Sequence, residues 1–222
     1  MKIAEANTYG SDARAAGAPV CGEAAPPSWR DALVGLDRTA RYGLAFSGGC
    51  DSSFLLAALV NGGVDVKAYM VMTAFQAPFE RADAQRVARE TGADFEVIEA
   101  DILSQADVCA NAPDRCYRCK RFIFSTILDA MACDGRTVLL DGTNASDDPA
   151  RRPGFQALAE LGVVSPLRRA GFTKDQVRNA SRALGVSTAD KPSFSCLATK
   201  APVGAPLTQA ALNAAARSIE TA

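Results

Sequence analysis

The stretch that decides the fold is Tyr42-Gly43-Leu44-Ala45-Phe46-Ser47-Gly48-Gly49-Cys50-Asp51-Ser52-Ser53, followed by Phe54-Leu55-Leu56-Ala57-Ala58-Leu59-Val60. A short apolar run, a Ser/Gly turn and a longer apolar run read as strand, tight turn and helix. The glycines let the backbone turn sharply and approach a ligand closely. The first free N–H groups of the helix and its positive dipole end attract phosphate oxygens, and Ser47, Ser52 and Ser53 add hydroxyl donors. An ordinary capped helix after a strand fits the same residues, so the hexapeptide alone leaves both readings open.

Working outward, Val66–Met72 has the length and composition of a buried strand, residues 79–91 form a charged helix stopped by Gly92, and Asp94–Glu99 reads as a third strand. Alternation of strand and helix at this spacing predicts an α/β fold with a doubly wound, mostly parallel sheet, whose ligands sit outside the carboxyl ends of the strands. Upstream, Trp29, Leu33 and Leu36 share helical spacing and predict a short helix over 29–36. Downstream, residues 117–132 are amphipathic, and a strand over 137–141 feeds the polar loop Asp141-Gly142-Thr143-Asn144-Ala145-Ser146-Asp147-Asp148. Helices are expected over 155–161 and 208–219, with an extended segment over 163–167. Thr173-Lys174-Asp175-Gln176 fits a capping box opening another helix. The expected organisation is a loose N-terminal arm over 1–28, a nucleotide-binding α/β domain over 29–190, and a cysteine loop with a short helical appendage over 191–222.

The chain has 222 residues, 24 basic against 25 acidic groups and 48% hydrophobic content, so no global charge asks for nucleic acid. No segment reaches the roughly 20 apolar residues of a membrane span, and the absence of a signal-peptide core makes the cytoplasm the expected compartment. The chain contains no histidine. Ser-His-Asp and Cys-His hydrolase arrangements, HExxH zinc sites and imidazole bases are thereby excluded within it.

Seven cysteines, an odd number, read as thiols or metal ligands and not as a disulfide framework. Cys116 and Cys119 form a CxxC pair flanked by Arg115, Arg118, Lys120 and Arg121, cations that lower thiolate pKa values. A lone CxxC is compatible with a metal, a redox pair or a structural role, and a third ligand has to come from elsewhere. Cys196, in a loop between Pro192 and Pro202, is the best candidate and reads as an accessible thiol; Lys191 and Lys200 are placed to bind phosphate or depress its pKa.

The Ser47–Ser52 loop resembles the PP-loop (SGGxDS) of the ATP pyrophosphatases, which implies an adenine nucleotide alpha hydrolase-like fold and cleavage of ATP between its α and β phosphates. Five further blocks occur in order: PDRCYRCK (113–120), DGTNASDD (141–148) with RRPGF (151–155), SPL (165–167), GFTKDQVR (171–178) and ADKPSFSCLATK (189–200). Together they are similar to the LarE family of ATP-dependent sulfur transferases.

That resemblance implies adenylation of a carboxylate on a pyridinium dicarboxylate mononucleotide, loss of pyrophosphate, and conversion to a thiocarboxylate on the way to the nickel-pincer nucleotide. One branch surrenders a cysteine sulfur and keeps dehydroalanine, while another holds a [4Fe-4S] cluster on three cysteines. Cys116 and Cys119 beside Cys196 place this chain nearer the cluster branch. The resemblance implies ATP and Mg²⁺ contacts at Ser47, Gly48, Gly49, Asp51, Ser52, Met72, Asp141, Thr143, Asn144 and Lys200, with Asp147 in the same loop, and catalytic roles for Cys196 and Asp51. Arg151, Arg152 and Arg168 are further phosphate candidates. The family continues into a C-terminal subdomain beyond the point matching Ala222, so the chain reads as a truncated member, and homo-oligomers are expected. The competing readings are a tRNA-thiolating PP-loop enzyme and a non-catalytic ATP- or cluster-binding protein. The balanced charge argues against the first.

Overall fold

A computed structural model describes residues 27–149 and 153–220. Strand β1 (Tyr42–Ala45) runs into helix α1 (Cys50–Asn61), which is apolar on every side because it lies against the centre of the sheet. Phe54, Leu55, Leu56 and Leu59 are fully buried along it. Each contributes roughly 1.5–3 kcal/mol of hydrophobic stabilisation before conformational entropy is set against it. Then follow β2 (Val66–Met72), α2 (Pro78–Thr91) and β3 (Asp94–Glu99), with Gly92 in the left-handed conformation ending α2. A four-residue helix, α3 (Ala106–Cys109), precedes the long α4 (Arg115–Cys133), which leads to β4 (Val138–Asp141). The remaining helices are α5 (Gly154–Glu160), α6 (Pro166–Arg169), α7 (Lys174–Ala183) and α8 (Gln209–Glu220).

The strand order is β3-β2-β1-β4 and every pairing is parallel, with Tyr42 opposite Val66 on one side and Val138 on the other. The chain winds outward from β1 to β3, then crosses back to lay β4 on the far side of β1. The switch point between β1 and β4 opens a crevice at their carboxyl ends, and both the Ser/Gly loop and the Asp141 loop emerge there. The expected doubly wound parallel sheet is therefore observed.

One apolar cluster packs α1 and α7 against the sheet with Phe54, Leu44 and Phe172, and a second packs α4 against the other face with Tyr69, Ile127 and Met131. A third joins Phe75, Ile102 and Val108 to Leu197, Leu207 and Leu212, so the segment after 190 shares a core with the body of the fold.

Three local expectations change. The helix expected over 29–36 is one 3-10 turn, Asp31–Leu33, because Val34 is extended and Gly35 has φ +76. Only Val164 of the expected extended segment pairs, beside Leu140, and Pro166 begins a helical turn as proline can at a first helical position. The CxxC pair belongs to the first turns of α4, which begins at Arg115. Most of the expected N-terminal arm, with Cys21, and both Arg151 and Arg152 lie outside the described residues.

Candidate active site

A cleft of about 690 Å³ occupies the crevice at the sheet's carboxyl end. Its polar half is built by the turn after β1. Gly48 holds φ +66, and a Cβ there would stand 2.7 Å from the backbone nitrogen of Ala84, so glycine is required both for conformation and for contact with α2. Gly49 is the N-cap of α1 and supplies no side-chain cap. The first N–H groups of the helix are thus left facing the crevice. Ser47 and Ser52 meet across the turn with hydroxyls 3.1 Å apart, and Ser52 Oγ accepts from the Ser47 N–H at 3.3 Å. From the opposite side the β4 loop closes in: a Cβ on Gly142 would lie 2.8 Å from the backbone nitrogen of Ser52.

Asp51 accepts a hydrogen bond from Lys174 Nζ at 2.6 Å, while its Oδ1 is buried with no partner. Lys174 comes from the first turn of α7, whose N-terminus is fixed by the Thr173/Gln176 capping box. Asp141, buried at the end of β4, accepts from Ser165 Oγ at 2.5 Å and from Thr143 Oγ1. Asn144 is buried and turns its loop by accepting from the Ser146 N–H at 2.8 Å. Asp147 accepts from the Asn144 N–H at 3.0 Å, and Arg168 Nη1 donates to the Asp147 carbonyl at 2.6 Å. Lys191 lines the cleft, donates to the Gly48 carbonyl at 3.3 Å and pairs with Asp83 at 2.7 Å. Burial raises the pKa of Asp83, but the hydrogen bonds from Lys191 and Arg86 outweigh it and hold the carboxyl below its usual range.

The apolar half reaches Cys196. The Cys196 thiol lines the same cleft as the Ser/Gly loop, yet its residue packs with Cys119, Phe122 and Phe194 against the third apolar cluster. Burial pushes the Cys196 thiol up, with Arg115 the main opposing charge. Cys119 is pushed up to about 12 by burial first, then by Cys196 and Cys116. For Cys119 and Cys196 the expectation of lowered thiol pKa values is corrected: desolvation outweighs the basic neighbours. Arg118 is engaged by Asp107 and Asp114, and Lys120 lies over the Phe124 ring.

Arg115 is the clamp of this end. It donates to the Ala198 carbonyl and to Asn111 Oδ1, each at 2.8 Å, and to Cys116 Sγ at 3.4 Å. Asn111 itself is buried, with φ +52, and donates to the Pro202 and Ala205 carbonyls at 2.8 and 3.1 Å. The start of α4 and the Cys196 loop are thereby tied together.

The three cysteines expected to hold a cluster thus come into one neighbourhood and influence one another electrostatically. Among the described residues, however, no group of three or more His, Cys, Asp or Glu side chains is arranged to hold a metal ion. The cluster expectation gains no geometric support.

Of the residues expected to bind nucleotide, Ser47, Gly49, Asp51, Ser52, Asp141, Thr143 and Asn144 line the cleft. Gly48 shapes its turn. Met72 packs into the first apolar cluster, and it is Met70 that lines the cleft. Lys200 is exposed at the end of a 3-10 turn, Leu197–Lys200, away from the lining, where Lys191, Lys174 and Lys120 stand instead.

No protein-family model matches the chain. A pyridinium-3,5-bisthiocarboxylic acid mononucleotide synthase from Lactiplantibacillus plantarum is 33% identical over 170 residues, 76% of this chain and 62% of that protein. The chain is a LarE-like PP-loop protein. A tRNA-specific 2-thiouridylase MnmA from Fervidobacterium nodosum is more distant, 23% identical over 69% of this chain and 54% of its own length. The LarE-like chain thus spans 62% and 54% of the lengths of these two relatives. Among solved structures, NMN synthetase from Francisella tularensis superposes with a TM-score of 0.54 at 15% identity, covering 69% of this chain and 66% of its own, a likeness of fold.

Proposed function

We propose that the protein is an adenylating sulfurtransferase acting on a pyridinium dicarboxylate mononucleotide. The observation that carries the reading is that one cleft is lined both by the Ser/Gly turn of Ser47–Ser52 and by Cys196. ATP places its β and γ phosphates on the Ser47–Ser52 turn, where backbone N–H groups and Lys174 stabilise the charge that develops on departing pyrophosphate. The orphaned Asp51 Oδ1 suits a hard cation, so Asp51 would hold Mg²⁺, which supplies further neutralisation of phosphate charge.

In the first step a substrate carboxylate oxygen attacks the α phosphorus and the bond to the β-phosphate bridge breaks, giving acyl-adenylate and pyrophosphate. In the second the Cys196 sulfur, having lost its proton, attacks the acyl carbon and AMP leaves. Removal of the Cys196 Cα proton then breaks the Cβ–S bond, leaving the thiocarboxylate and a dehydroalanine at position 196. Burial raises the Cys196 pKa and so favours the neutral thiol.

Pyrophosphate release from ATP that depends on pyridinium-3,5-dicarboxylate mononucleotide supports this reading. Release that depends on tRNA instead would establish the thiouridylase reading, and ATP binding with no pyrophosphate under any acceptor would establish a binding protein. Iron in anaerobically purified protein, lost on Cys116→Ala, Cys119→Ala or Cys196→Ala, would move the sulfur source to a cluster.

A further inference from the structure

Phe194 lies two residues before Cys196 in a stretch without regular structure, and both side chains line the cleft. The ring is not loose. It meets Phe79 edge to face, with centroids 4.9 Å apart, and Lys191 sits 5.5 Å from the Phe79 centroid. Lys191 is itself tied to Asp83 and to the Gly48 carbonyl of the phosphate turn. A chain of contacts therefore runs from the Ser/Gly turn through Lys191 and Phe79 to a ring that shares both the cleft lining and the third apolar cluster with Cys196. Nothing in the adenylation chemistry uses that ring.

We propose that Phe194 is the residue that selects a flat, cationic aromatic ring as the sulfur acceptor, by giving it a π face to stack on beside Cys196. The inference rests on the sulfurtransferase reading and deepens it. A carboxylate attached directly to an aromatic ring has its acyl carbon one bond from the ring edge, so fixing the ring plane fixes the carbon that Cys196 must reach. An aromatic face attracts a positively charged ring more strongly than a neutral one, so a pyridinium is favoured over a benzoate of the same shape. Aliphatic carboxylates lose the contact entirely. The Ser/Gly turn lies at the other end of the Lys191 link, so in this proposal the ring serves the acceptor and not the phosphates of ATP.

The test measures the KM for pyridinium-3,5-dicarboxylate mononucleotide and for ATP in Phe194→Ala, Phe194→Leu and Phe194→Tyr by pyrophosphate release. The affinity of nicotinic acid mononucleotide is measured in parallel by calorimetry. Acceptor KM is expected to rise about 10-fold in Phe194→Ala and Phe194→Leu, corresponding to the worth of one stacked cationic ring. ATP KM is expected to stay within about 2-fold, and Phe194→Tyr to behave as the wild type. A merely structural role would move both KM values together and would not distinguish leucine from tyrosine. Unchanged acceptor KM in Phe194→Leu, or a rise confined to ATP, overturns the inference while leaving the sulfurtransferase reading intact. If no pyridinium carboxylate drives pyrophosphate release, that reading fails. Calorimetry then decides the inference alone: weaker binding in Phe194→Leu supports it, and equal or absent binding in both proteins overturns it.

Discussion

The two ends of the cleft are built on opposite principles. At the phosphate end, glycine-shaped backbone, hydroxyls and the Asp51–Lys174 pair leave polar groups facing open space, a site organised for a charge that has yet to arrive. At the cysteine end, apolar packing raises the thiol pKa values of Cys119 and Cys196, and one arginine holds the pieces together. The difference teaches that the first end presents polar groups suited to an anion, whereas at the second desolvation disfavours the thiolate. Activation and sulfur transfer should therefore be separable by mutation.

The largest separation comes from Cys196→Ala. Thiocarboxylate formation is expected to fall at least about 1000-fold while the pyrophosphate burst stays within about 3-fold, because only the second step loses its nucleophile. Quench-flow detection of both products from one reaction checks this, and equal loss of both would break the comparison. Gly48→Ala attacks the other end. The added Cβ meets backbone 2.7 Å away at φ +66, so pyrophosphate release is expected to drop about 100-fold, with a fall of several degrees in melting temperature. A pyrophosphate-release assay beside a thermal melt measures the two effects.

Lys174→Ala is expected to slow pyrophosphate release about 10- to 100-fold, with partial rescue by Lys174→Arg, since one charge at the departing phosphate is lost and Asp51 is left unpaired. Steady-state assays of the two variants decide it. The smallest effect concerns pH. With folded-state pKa values raised, alkylation of Cys196 and Cys119 by iodoacetamide should keep accelerating above pH 9, where an ordinary thiol of pKa near 8.5 has levelled off. Arg115→Gln should lower the Cys196 rate a few-fold at pH 8, read by peptide mass mapping across a pH series.

The fold around the Ser/Gly turn was legible in the sequence. SGGCDS between two apolar runs dictates strand, turn and helix, and the parallel order follows from the alternation of elements around it. Lys174 was invisible as a site residue because its pairing with Asp51, 123 positions away, exists only once α7 packs beside α1. The cysteine end was legible as a set of residues and misread as an environment. Cys196 sits among prolines and serines that look exposed, but Leu197 and Ala198 pull the loop into the third apolar cluster. Lys200 and Met72 lie off the cleft lining for the same reason: the sequence names Lys191 and Lys200 alike, and packing brings Lys191, with Met70 in place of Met72, to the cleft.

The central claim is that the thiol of Cys196 is the sulfur delivered to an acyl group activated at the Ser47–Ser52 turn. The direct measurement is the intact mass of the protein, mapped to peptides, after a single turnover with ATP and pyridinium-3,5-dicarboxylate mononucleotide. The account predicts a loss of about 34 Da, the mass of H₂S, confined to the peptide carrying Cys196 and matched by one thiocarboxylate per chain. Thiocarboxylate formed with the protein mass unchanged, or the loss found at another cysteine, would contradict it.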